Sequence, residues 1–252
     1  MPGGNLVTWA AQSVRSVIFS IEFDNLRANE LYVLGFKQQP SGFQSAPPGT
    51  PFASSNATGH EKLGFATLQM TPGRIDLSIV PSQSQNRKPG TVPELVDLGG
   101  SLDLIQQAST AVCAKVTKVS RLAFILDLVK SVTSQADANA LLSEVAPQPI
   151  DPESIFDYLL QYTKKYELRS FADIKINIVY RWAATQVQQF VLPSGFGISS
   201  IPTAPTSFYI ATVTLDVNTI PEITEIEAAR ADAIFRELRE KIDVVRRGGP
   251  IG

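Results

Sequence analysis

Hydrophobic and polar positions alternate with a period of two in several stretches of the chain and follow a helical period in others. Residues 14–24 place Val17, Phe19, Ile21 and Phe23 opposite Ser16, Ser20, Glu22 and Asp24, the pattern of a half-buried strand. Residues 63–80 read as a hairpin. Pro72-Gly73 supply its central turn positions, because proline fixes φ and glycine accepts a positive one. Residues 119–130 are almost continuously apolar, as expected of a strand at the centre of a covered sheet. Residues 171–192 and 208–217 give further strands, with Ile174, Ile176, Ile178 and Tyr180 alternating against Lys175, Asn177 and Arg181.

The helical period appears after Ser101, the expected cap, where Leu102, Ile105, Val112 and Val116 form one stripe. A short helix is expected near 136–145. Asp151 followed by Pro152 then reads as a helix start, with Ile155, Leu159, Tyr162 and Tyr166 on the buried face. The last helix, 222–246, carries the stripe Ile223, Ile226, Ile234, Leu238, Ile242 and Val245. Its pairs Asp232–Arg236, Glu237–Lys241 and Asp243–Arg247 stand in the favourable i,i+4 order. Two stretches rich in Pro, Gly and Ser, 38–62 and 193–207, read as long loops.

This order predicts an α+β protein built of duplicated antiparallel strand–hairpin–helix units, the sheets packed against helices on one side. The first half would cover residues 1–118 and the second 119–252, either as two units or as one fused domain. A chain of 252 residues buries roughly 70–75% of its unfolded surface, so it folds without a disulfide or a metal.

Composition narrows the functions. The net charge of −2 provides no general field for nucleic acid or anionic lipid. One cysteine and one histidine exclude a Cys-based zinc site and a multi-His centre, so neither a metal nor a cofactor is expected. The longest apolar run, 122–129, is too short to span a bilayer and is broken by Asp127. Met1–Val7 has no basic stretch leading into an apolar core, which makes the cytoplasm the expected compartment.

The segments VIFSIEF (17–23), RLAFILDLV (121–129) and ATVTLDV (211–217), in this order, resemble a sporadically distributed family of uncharacterised bacterial proteins of about this length. The resemblance covers most of the chain. It implies a bacterial or phage-related setting and transfers no catalytic residue.

Candidate chemistry is sparse. His60 stands beside Glu61 in the first loop, and Cys113 lies in a helix among apolar neighbours, where it packs as a small hydrophobe. Asp151 with Asp173-Ile174-Lys175 matches the carboxylates and lysine of a metal-dependent nuclease, in which the acids hold Mg²⁺ and the lysine helps activate water. Arginines of the last helix could contact phosphates in a nucleic-acid-binding accessory protein of a bacterial defence system, but acidic residues interleave with them. The reading that requires no missing motif is a non-enzymatic interaction or assembly protein, partnered by itself or by another protein. Its candidate contacts are Phe43, Phe52 and His60 of the first loop, Phe196 of the second, and Arg246 and Arg247 at the end of the last helix.

Overall fold

The computed structural model describes residues 6–22, 26–46, 54–82, 90–148, 150, 151, 153, 155, 158–189, 206–221 and 225–248. The described residues form nine strands and four helices. In order these are β1 (Ala10–Glu22), α1 (Ala28–Phe36), β2 (Gly42–Ser45), β3 (Ser55–Glu61), β4 (Gly64–Thr71), β5 (Arg74–Val80), α2 (Leu98–Cys113), β6 (Thr117–Val132), α3 (Gln135–Val145), β7 (Leu159–Glu167), β8 (Lys175–Gln189), β9 (Thr206–Thr219) and α4 (Ala228–Arg246). All nine strands join one antiparallel sheet in the order β2-β3-β4-β5-β1-β6-β9-β8-β7. The first and sixth strands therefore meet at its middle, with Val14 opposite Leu126 and Val17 opposite Ala123.

The main core is one continuous cluster. Val14 and Ile18 of β1, Leu68 of β4, Leu77 of β5, Phe124 and Leu126 of β6, Leu215 of β9 and Ile178 of β8 all enter it. Helix α2 supplies Ile105 and Val112, α3 Leu142, and α4 Ile234, Phe235 and Leu238. Phe124 meets the Phe235 ring edge-on at 6.5 Å, and Ser16 and Ser109 bond to each other where α2 crosses β1. The alternate residues of β1 and β6 face the other way. There Val17, Ala123 and Ile125 make a separate small cluster flanked by Phe19. No helix among the described residues is long and apolar enough to cross a membrane.

The elements differ from expectation in four places. The stretch 38–62 is not one loop, because it contains β2 and β3. Strand β3 escapes a hydrophobic reading because its buried positions are Ala57 and Gly59. Small residues are needed there, since a Cβ on Gly59 would collide with the Tyr32 hydroxyl of α1. Asp97, not Ser101, caps α2: its Oδ1 accepts the Gly100 N–H at 2.9 Å, while the Ser101 hydroxyl donates to the Asp97 carbonyl at 2.7 Å. Among the described residues no helix starts at Asp151. Its Oδ1 accepts the Glu153 N–H at 3.1 Å in a local turn, and Leu159–Glu167 is strand β7, paired with β8 along its length. The last helix begins at Ala228, because Ile226 is occupied in a bridge to Val119. The expected hairpin is present, with Gly73 at φ 78° in its turn. Phe52 and Phe196 lie outside the described residues.

Candidate functional site

The small cluster of Val17, Ala123 and Ile125 is bordered by charges whose positions follow from register. Ser13 of β1 lies opposite Asp127 of β6, and Asp127 opposite Thr214 of β9. Asp127 accepts the Ser13 hydroxyl at 2.5 Å on Oδ2 and the Thr214 hydroxyl at 2.7 Å on Oδ1. Arg15 Nη2 stands 3.5 Å from the same carboxylate, and its buried Nε has no hydrogen-bond partner among the described residues. A bulge between Ala11 and Ser13 makes this arrangement possible. The extra residue turns Ser13 away from the main core, which Ala11 still enters, and brings it to Asp127.

Arg15 separates two depressions. The larger, of about 810 Å³, is lined by Gln12, Ser13, Arg15, His60, Phe65, Ser78, Val80, Pro81, Pro93 and Asp127. The smaller, about 330 Å³, lies over β4 and β5, where Arg74 holds Asp76 through Nε at 2.6 Å and Nη2 at 2.5 Å. That bonded carboxylate pushes the Arg74 guanidinium above its ordinary pKa. His60 forms one wall of the larger cleft, its ring edge-on to Phe65 at 5.1 Å. The expectation of a loop histidine gives way to one fixed on β3 by its pairing with Phe65. Sequence reading missed Arg15 and Asp127, since a charge inside an otherwise apolar strand shows no partner until the register is known.

Of the three residues of the nuclease reading, Asp173 and Lys175 lie two apart in the chain and Asp151 precedes a different strand. Asp173 sits in the turn before β8, and its carboxylate binds Arg230 of α4 at 2.9 Å. Lys175 opens β8 opposite Glu167. Asp151 precedes β7, whose start pairs with Ala183, so β7 begins at the far end of the hairpin from Asp173. Nine extended residues span about 30 Å. Among the described residues no group of three or more His, Cys, Asp or Glu side chains could hold a metal ion.

Most arginines of α4 are engaged. Arg230 also lies near Glu227, Arg236 binds Asp232 at 2.5 Å, Arg239 binds Asp103 of α2, and Arg246 approaches Asp243 at 3.7 Å. Glu237 is buried and departs from its expected partner. It accepts the Arg169 N–H at 2.6 Å and the Ser170 N–H at 3.1 Å, holding the turn between β7 and β8, while Lys241 lies over the Tyr166 ring. Cys113 is buried at the end of α2, and burial pushes its thiol up to about 12.

The two sheet edges differ in reach. Strand β2 has four residues, with Phe43 47% exposed. Strand β7 has nine, and among the described residues it pairs only with β8. It is stiffened on its inner side by the rings of Tyr162, Tyr180 and Trp182, with centroids 4.9–5.6 Å apart. Leu159 at its start is 65% exposed. Comparison with protein-family models, curated proteins and solved structures finds no match.

Proposed function

We propose that this protein is a non-enzymatic interaction or assembly protein of the cytoplasm that forms homo-oligomers through the outer edge of β7. The observation carrying this reading is the nine-residue edge strand itself, which contains no proline. The free backbone N–H and C=O groups of such an edge are a template for another strand. The occupant is a second copy of β7, antiparallel about Thr163. Thr163 then faces Thr163, Tyr162 faces Lys164, Gln161 faces Lys165, Leu160 faces Tyr166 and Leu159 faces Glu167. No two like charges stand opposite each other, and a lysine meets an aromatic ring, as Lys164 already does over Tyr162 at 5.4 Å within the chain.

The same reading includes an internal duplication. Each half would be a strand, a helix, a strand meander and a second helix, with the helices along one side of the sheet. Support comes from the element order and from the position of the two leading strands, β1 and β6, side by side at the centre. The ion pairs of the α4 arginines favour assembly over a nucleic-acid surface.

Light scattering on the size-exclusion peak tests the proposal. The wild-type chain is expected to run as a dimer. Thr163→Lys, at an exposed position, sets two lysines face to face and is expected to give a monomer with an unchanged far-ultraviolet circular dichroism spectrum. A monomeric wild type, or a dimer indifferent to Thr163→Lys, overturns it.

A further inference from the structure

We propose that the cleft between Arg15, His60, Phe65 and Val80 binds an organic monocarboxylate with an apolar body, its carboxylate held by Arg15 and its body against Phe65, Val80, Pro81 and Pro93. The cleft's volume of about 810 Å³ falls within the roughly 300–1,000 Å³ of small-molecule sites. Its composition is also of that kind, an apolar wall with a few convergent polar groups.

The sign of the ligand follows from a mismatch between donors and acceptors. Each oxygen of Asp127 already accepts a short hydroxyl bond, from Thr214 and from Ser13. Arg15 has a long contact to that carboxylate, 3.5 Å, and a buried Nε with no partner among the described residues. The long contact to Asp127 is the guanidinium's one side-chain hydrogen bond among the described residues, and Arg15 lines the cleft, so its remaining donors can meet an incoming acceptor. The guanidinium is permanently charged and planar, and it matches a carboxylate through two parallel N–H groups. Asp127 also limits the ligand's charge, because each negative charge brought to Arg15 is repelled by that carboxylate, which favours a ligand with one carboxylate over a dianion. Ser78 and Gln12 beside Arg15 offer further polar contacts, and His60 closes the rim against Phe65.

Isothermal calorimetry on the full chain with benzoate, 4-phenylbutyrate and octanoate, each paired with its neutral amide, tests the proposal. At least one carboxylate is expected to bind while its amide does not. Arg15→Gln is expected to weaken binding about tenfold or more, as the loss of a charge-assisted bond predicts, and Arg15→Lys to restore part of it. Val80→Glu adds a negative charge to the opposite wall and is expected to abolish binding, which keeps the test open if Arg15→Gln fails to fold. Three results overturn the proposal: no carboxylate binding at about 10 mM, equal binding of acid and amide, or wild-type binding by a folded Arg15→Gln or Val80→Glu chain.

Discussion

The two sides of the central strand β6 solve different problems with the same backbone. On one side Leu122, Phe124, Leu126 and Leu128 enter the main core, and α4 presses Phe235 onto Phe124. On the other, Ala123 and Ile125 join Val17 and Phe19 in a small apolar cluster, and the next position along the strand is a charged one, Asp127. Guanidinium groups cover the thin cluster: Arg74 and Arg121 both lie over the Phe19 ring, at 5.5 and 5.1 Å. The contrast shows why β6 reads as a nearly continuous apolar run although only one of its sides faces a deep core. The cleft also opens on this second side, beside Arg15 and Asp127.

Truncation along β6 measures this difference. Phe124→Ala empties the crowded side and is expected to cost about 3–5 kcal/mol in urea unfolding. Ile125→Ala, one residue along, is expected to cost about 2 kcal/mol, because the arginine side chains can settle into the space. Equal costs for the two would mean that the thin side packs as tightly as the core. Asp127→Asn is expected to cost about 1 kcal/mol, since the Ser13 and Thr214 hydroxyls can reorient toward an amide while Arg15 loses its anion. A loss as large as that of Phe124→Ala would make the polar ladder, and not the core, the main hold between β1, β6 and β9.

Legibility in the sequence followed the same division. The strands β1, β5, β8 and β9, with large residues on the core side, alternate visibly, β6 stands out as a nearly continuous apolar run, and α4 shows its stripe. Strand β3 was hidden because its two buried positions are Ala57 and Gly59, the glycine being required beneath Tyr32, so packing removed the very residues that mark a strand. Strand β7 was hidden for another reason. Leu159, Tyr162 and Tyr166 fit a helical spacing, while Leu160, Tyr162 and Tyr166 equally fit a strand, and the preceding Asp151-Pro152 serves as a helix start or as a turn. The cleft could not be read at all. His60, Phe65, Val80, Arg15 and Asp127 belong to five strands and become neighbours only through four pairings. Of the candidate contacts, Phe43 and His60 lie on β2 and β3, and Arg246 is bound to Asp243 at the end of α4, followed by Arg247.

The pairing at the middle of the sheet also governs how the chain reaches its structure. Ser13 and Asp127 lie 114 residues apart, so β1 has no neighbour on one side until nearly half the protein has followed it. At a synthesis rate of about 5–20 residues per second, that side waits roughly 6–23 s on the ribosome. Closing so distant a contact sets the chain among slow folders, with folding times of milliseconds to seconds once released. For that interval the inner flank of β1, with its Val14 and Ile18, is the segment most in need of shelter from neighbouring nascent chains.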